Sequence, residues 1–428
     1  MKKVLIITYY WPPAGGPGVQ RWLKFVKYLP EFQIHPVVYI PENPTYPILD
    51  ETFIKEVPTK DITMISQPIR EPYRLASFFS NKKTRSISKG MISQKKQSLP
   101  EKFLLWVRGN IFIPDARVLW VKPSVHFLKD YIEKEGIDTI ITTGPPHSLH
   151  LIGLRLKSLM ELRWIADFRD PWTNIGYHDK LRLGGRAAAR HERLEKEVLT
   201  KADKVITTSN TTAREFNEIA PADITVITNG FEPLNNLKKP ALKFQIGHIG
   251  SLLTGRDPQL LWNALSLLIS EDPEFANAFN LVLAGAVSDD VRSSIGKAGL
   301  EGYTTYMGYV SHEKALELQQ TSRVLLLLEI DSPQTKGIIP GKVFEYMSAR
   351  RPVLAIGPDG WEVKQLIQES GIGACFTYTD EASILKFIKT NFERYKSGLN
   401  AEISGDIEGY TRRSLTSKLA ELIKGSWE

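Results

Sequence analysis

The sequence predicts an α/β protein of two domains, each a parallel sheet with helices on its faces. Three observations predict this. Apolar runs without alternation, VLLLL at 324–328 and VLAI at 353–356, read as strands buried on both faces. Stretches with helical spacing separate such runs, so strand and helix alternate through both halves. At 428 residues the chain exceeds one ordinary core, and a polar stretch, EPLNNLKKPALK at 232–243, divides it. The expected domains are therefore 1–231 and 244–410, with 232–243 as linker.

Composition narrows the function. The apolar and charged fractions, 42% and 24%, are those of a globular protein in water. The single cysteine, Cys375, excludes an intrachain disulfide and a Cys-based zinc cluster. Its run, GACFTY, reads as a buried strand with a structural thiol. No apolar run reaches the roughly 18 residues that a bilayer span needs. The start, MKKVLIITYYWPPAGG, opens like a signal peptide, but its apolar run is short, β-branched and followed by aromatics and Pro-Gly. It reads as the first strand of a cytoplasmic protein. A net charge of +7 suits phosphorylated small molecules, anionic lipid or nucleic acid. Nucleic acid is the weakest of these, since neither zinc-finger spacing nor an RNP-like signature occurs.

Taken in order, Val4 to Thr8 is a buried strand that enters the turn YYWPPAGGPG (9–18). An amphipathic helix follows from about Val19. Val19, Trp22, Leu23, Val26 and Leu29 form its core face, with Gln20, Arg21, Lys24 and Lys27 outside. The turn sits at a sheet's carboxyl edge, where ligands collect. Gly15 and Gly16 allow close approach there, although a plain tight turn explains them too. Their spacing fits neither G-x-G-x-x-G nor G-x4-G-K-[ST].

Between Lys82 and Lys102 stand seven Lys or Arg and one acid, Glu101, followed by the apolar FLLWV. Such a segment suits peripheral contact with an anionic membrane, or else is a solvated loop before a core helix. Strand 137–143 ends in a Gly-Pro-Pro bend, and His147 follows it toward the carboxyl edge. A Leu-rich helix (151–162) leads to RWIADFRDPWTN, where Asp167, Arg169 and Asp170 end a strand. Read plainly, Arg169 bridges its own aspartates. A charged helix (186–200) and the strands in KADKVITTS and ITVITNGF complete the first half.

The second half starts over with strand FQIGHIG, loop SLLTGRDP carrying Arg256, and a helix from 258. Its central stretch is KGIIPGKVFEYMSARRPVLAIG (336–357). Pro340 and Gly341 open a helix whose free N–H groups favour an anion, and Lys342 adds a full charge. Val343, Phe344 and Met347 form the buried stripe. Glu345 shares a face with Lys342 and could accept hydrogen bonds from a ribose diol. A solvated Lys–Glu pair is the plain alternative.

PGKVFEYMSARRPVLA resembles the donor-site helix of family 4 glycosyltransferases. The Gly15–Gly16 turn, DFRDPW, the PDARVLW block with Asp115 and Trp120, the Asn229–Gly230 turn and Arg256 are similar to blocks of that family in the same order. The resemblance implies two Rossmann-like domains facing across a cleft (GT-B), with a last helix near 411–424 that crosses back to the first domain. It implies transfer of a glycosyl group from a UDP- or GDP-linked sugar to a glycan or lipid-linked acceptor, with retention. Glu345 would hold the ribose, and Arg256, Gly341 and Lys342 the diphosphate. Gly15 and Gly16 would line the phosphate and acceptor loop, and His147 and Asp170 would face the sugar or acceptor. Relatives carry a second Glu eight positions before Glu345, where this chain has Gly337. No Asp-x-Asp motif occurs, so neither metal nor cofactor is expected. A non-catalytic scaffold subunit and a sugar-nucleotide 2-epimerase are the alternatives.

Overall fold

Strand order, more than any single motif, decides where ligands can collect in this chain. The computed structural model describes residues 1–71, 99–174, 181–234, 236–399 and 405–425. It divides into two compact units, Met1–Thr228 with Arg412–Glu428, and Asn229–Thr411.

The first unit runs β1 (Lys2–Ile7), α1 (Pro17–Tyr28), β2 (Ile34–Pro41), β3 (Thr63–Gln67), α2 (Leu99–Asn110), α3 (Val118–Glu135), β4 (Thr139–Gly144), α4 (Ser148–Leu159), β5 (Arg163–Phe168), α5 (Gly185–Lys201), β6 (Lys204–Thr207), α6 (Asn210–Ile219) and β7 (Ile224–Val226). The seven strands are parallel in the order β3-β2-β1-β4-β5-β6-β7. Ile6, Ile141 and Ile165 lie in register across the centre. They face one core with Trp22 and Val26 of α1, while Leu5, Ile7 and Ile140 face a second core with Leu128 of α3 and Ile152 of α4. Burial on both faces is why these strands read as unbroken apolar runs.

The second unit runs β8 (Phe244–Ile249), α7 (Gln259–Glu271), α8 (Pro273–Ala278), β9 (Phe279–Ala284), α9 (Asp289–Lys297), β10 (Thr304–Gly308), α10 (His312–Thr321), β11 (Val324–Leu328), α11 (Gly341–Ala349), β12 (Val353–Ile356), α12 (Val363–Ser370), β13 (Gly373–Phe376) and α13 (Glu381–Lys396). Its order is β10-β9-β8-β11-β12-β13, again parallel. The last helix, α14 (Arg412–Lys424), packs on α1, with Leu415, Leu419 and Ile423 in the core of Val19, Trp22 and Leu23. No described helix is long and apolar enough to cross a membrane.

Each sheet order reverses once, at β1/β4 and at β8/β11. Loops leaving those strand pairs diverge and leave a crevice at the carboxyl edge. The loops after β1 and β4 carry Gly15, Gly16 and His147, and those after β8 and β11 carry Arg256 and the approach to Lys342.

Three features differ from the sequence reading. Arg21, placed on the outer face of α1, is 1% exposed, because α1 turns it toward β5 and an aspartate there. The stretch 232–243 is fastened to the second unit and does not stand between two domains. The Ala241 N–H donates to Thr321 O, Arg323 Nε to Ala241 O, Arg351 Nη2 to Lys238 O, and the Lys238 N–H to Gln320 Oε1. Residues 99–135 hold two helices, and β2 and β3 were not read from the sequence at all. Most of the basic segment 82–102 lies outside the described residues.

Candidate functional site

The carboxyl edge of the first sheet is built from three loops held together by Arg169. Its guanidinium donates from Nε to Gly144 O (3.3 Å) and from Nη2 to Pro145 O, and lies 5.7 Å from the Tyr10 ring centre. A Cβ on Gly18 would fall 1.6 Å from Arg169 Nη1, so that glycine is required by the clasp. Gly16 starts α1 at φ 103°, a conformation that favours glycine, and a side chain there would meet open space. Gly15 is bound more tightly, its N–H donating to Ile48 O (3.0 Å) and its position closed by Ile48 and Asp50. Of the two, only Gly16 leaves room for a ligand.

Asp167 does not bridge to Arg169. It is fully buried, accepting Arg21 Nη2 (3.0 Å), Trp22 Nε1 (2.8 Å) and Thr143 Oγ1 (3.0 Å). A buried carboxylate with three donors fixes α1 on the sheet and is closed off from solvent. Asp170 is the exposed member. Protein crowded around it still raises its carboxyl above the usual range; Arg169 opposes the rise and Asp167 adds to it.

His147 precedes α4 and is 4% exposed, with its ring stacked on Trp172 at 5.0 Å and 6°. Trp172 Nε1 donates to His191 Nδ1 (3.1 Å), and Glu195 accepts the N–H groups of Trp172 and Thr173. Two residues of α5 thus hold the loop that follows Asp170. The PDARVLW block, which carried no mechanism in the sequence, supports the same edge. Asp115 accepts the Ser148 N–H (2.9 Å) and Oγ (2.7 Å), capping α4, while Trp120 stacks on Tyr39 at 4.9 Å. Arg117 pairs with buried Glu71 and donates to Tyr9 Oη, tying this block to the turn after β1.

In the second unit, Gly250 directly follows β8 at φ 136°, and the Lys342 side chain occupies the space that a Cβ would need, with Nζ 2.1 Å from that position. Lys342 is half-buried and has no hydrogen bond or ion pair among the described residues. Burial lowers its pKa from the ordinary 10.5 to about 8; Arg256 pushes the same way, and Glu345 and Glu329 oppose. Arg256 is held by Glu329, which is 1% exposed, through Nη2 (2.9 Å) and Nε (3.2 Å) to one carboxylate oxygen. Glu345 accepts a hydrogen bond from Gln319 Nε2 (2.8 Å). Gly341 begins α11, and a side chain there would meet nothing.

The structure therefore gathers Arg256, Lys342 and Glu345 with two residues that sequence reasoning missed. Gly250 was hidden inside a strand-like run. Glu329 had a readable signal, a charged residue directly after the buried run VLLLL. His248, also missed, is buried beside this group, and burial lowers its pKa to about 3, so it stays neutral. Among the described residues no three His, Cys, Asp or Glu side chains converge as a metal site.

Residues 93–233 match the model of Glycosyltransferase Family 4. No curated protein matches the chain. Solved structures with this architecture include a glycosyltransferase from Rickettsia africae ESF-5, 14% identical, covering 99% of each chain, with a TM-score of 0.60. A variant of S. aureus TarM, solved with Fondaparinux, alpha-GlcNAc-glycerol and UDP, is 13% identical over 99% of this chain and 100% of that one, at 0.58. The N-terminal domain of a Candida albicans trehalose-6-phosphate phosphatase reaches 0.58 at 12% identity, covering 98% and 96%. Such identities show the fold alone. The family match falls on residues 93–233, a third of the chain, and each of the two parallel α/β sheets has the fold of these solved glycosyltransferases.

Proposed function

We propose that this chain is a glycosyltransferase that takes its sugar from a nucleoside-diphosphate sugar, UDP- or GDP-linked, and passes it to a glycan or lipid-linked acceptor with retention of configuration. The observation that carries the reading is the unpartnered Lys342 ammonium, seated over Gly250 at the start of α11 and beside the Arg256–Glu329 pair. A leaving diphosphate gathers negative charge as the glycosidic bond breaks, and fixed cations and helix N–H groups at that point lower the barrier. Two cations there also supply what a divalent ion would, so the proposal includes no metal requirement. Glu345, one turn into α11, takes the ribose hydroxyls. UDP in the S. aureus neighbour agrees with a nucleoside diphosphate as the leaving group.

On the other unit, exposed Asp170 is assigned to the sugar or acceptor hydroxyl. His147, packed under Trp172, keeps the loop shape that Asp170 needs. Peripheral contact with the inner face of a membrane remains part of the reading, for the basic run at 82–102.

The test is thermal stability against UDP, GDP, ADP and CMP without metal, in wild type and Glu345→Ala. A ligand that binds only the native state raises the melting temperature. A shift selective for one nucleotide and lost in the variant supports the reading. No shift with any of the four overturns it in favour of a non-catalytic scaffold.

A further inference from the structure

A groove of about 550 Å³ runs along the outside of the first unit between α4 and α5, closed at one side by the chain leading into α3. Its floor is aliphatic, made by Ile113, Val118, Leu151, Leu154 and Leu194. Its edge is cationic. Arg155, Arg190 and Lys201 are exposed and make no ion pair among the described residues. Lys157 is already neutralised by Asp203 at 2.8 Å, and Glu197 is the single acid in the lining. Three large apolar side chains that neighbour the lining in sequence, Ile111, Leu119 and Leu159, are each at least half exposed.

Folding alone does not account for this combination. A floor on which Val118, Leu154 and Leu194 stay only partly covered forgoes some of the stabilisation that burial would give, and three unpaired cations beside a single acid repel one another. Both terms reverse for one class of occupant, an anion attached to a hydrocarbon. A free phosphate would meet the cations and leave the floor unused. An acidic peptide would bring amides to a surface whose only uncharged polar side chain is Ser158.

We propose that this groove is a docking surface for anionic phospholipid, with acyl carbon on the aliphatic floor and the headgroup phosphate between Arg155, Arg190 and Lys201. It draws on described residues only, is separate from the 82–102 segment, and does not depend on the donor reading. An enzyme whose first unit rests on a lipid surface meets a lipid-linked acceptor in two dimensions, which raises encounter without any new contact to the sugar.

The experiment is co-sedimentation of the intact chain with phosphatidylcholine vesicles, with and without phosphatidylglycerol. Wild type is expected on the anionic vesicles only. Each cation near such a surface contributes roughly fivefold, so Arg155→Glu with Arg190→Glu is expected to lose more than about twentyfold. Leu154→Ser with Leu159→Ser is expected to weaken binding without a change of charge. Lys297→Glu with Lys418→Glu removes equal charge elsewhere and is expected to bind almost as well as wild type. Equal loss in the two charge sets overturns the proposal in favour of net charge. Release by inorganic phosphate at constant ionic strength overturns it in favour of a phosphate-ion site. A dimer by ultracentrifugation that the groove variants break, with no vesicle binding, overturns it in favour of a second copy. Nucleotide-induced thermal shifts are read on the same variants, so a failed donor site and a failed groove give different results.

Discussion

Arg256 and Glu329 form an ion pair at the carboxyl edge of the second sheet, with the carboxylate fully buried and the guanidinium partly open to solvent. One carboxylate oxygen takes both Nε and Nη2, and it also accepts the Ile330 N–H at 2.8 Å. This orients the guanidinium edge that remains. Glu329→Gln keeps the shape and removes the charge. We expect kcat/KM for the donor to fall about tenfold, mainly through KM, because one charge-assisted contact of about 1.4 kcal/mol is lost from positioning. Unchanged steady-state kinetics in a folded variant would count against that role.

Lys342 couples affinity to pH. Its folded pKa, about 8, lies below the unfolded value, so the folded state holds fewer protons between about pH 8 and the ordinary lysine range. Apo stability therefore rises with pH through that window as the desolvated charge is relieved. Diphosphate affinity moves the opposite way, falling as pH passes 8. Titration of UDP or GDP binding from neutral to alkaline pH should show this inflection in wild type and lose it in Lys342→Met. The same variant should melt a few degrees higher than wild type without ligand at neutral pH.

Gly250→Ala is expected to imitate the loss of Lys342. The new Cβ would lie 2.1 Å from Nζ on a backbone at φ 136°, so the lysine must leave and the strand end is strained. A stability loss of about 1–3 kcal/mol and a nucleotide response as weak as that of Lys342→Met are the expected pair of results. Retention of the full thermal shift would show that Lys342 works from elsewhere.

Asp167 has the sequence neighbourhood of a catalytic residue and the contacts of a structural one. Asp167→Ala leaves the Arg21 guanidinium buried without its carboxylate, and should cost about 3–5 kcal/mol in urea unfolding. Arg21→Met with Asp167→Leu should recover only part of that, because Trp22 Nε1 and Thr143 Oγ1 still lose their buried acceptor. Asp170→Asn is expected to behave in the opposite manner, with kcat down roughly hundredfold and stability at neutral pH slightly raised, since its ionised carboxyl is disfavoured where it stands. Equal effects of the two substitutions on kcat and stability would contradict this division of roles.

Much of the architecture was legible because parallel strands buried on both faces leave an unmistakable pattern. VLLLL, the Leu-rich stretch that became α4 and the helix opening at Gly341 needed no partner to be read. What remained hidden was long-range. Helical spacing put Arg21 outside, since nothing near it in sequence shows that Asp167 waits on β5. The polar stretch 232–243 looked like a linker because its partners, Gln320, Arg323 and Arg351, lie some 80 or more residues on. In the site, Arg256, Lys342 and Glu345 were readable as residue types in a plausible setting. Gly250 was not, and Glu329 showed only its place directly after VLLLL, because their part is to make room for or orient another side chain, and that relation exists only in three dimensions.

The helix α14 has a consequence for how the molecule comes into being. Leu415, Leu419 and Ile423 close the apolar surface of α1, yet they are synthesised after the whole of the second unit. At 5–20 residues per second, the nascent first unit waits roughly 10–40 s with Val19, Trp22 and Leu23 short of their last cover. A chain stopped before residue 412 would carry that apolar strip permanently. Such a product is expected to be retained by chaperones or aggregate even though both sheets are fully encoded, and supplying residues 405–428 in trans is the direct way to rescue it.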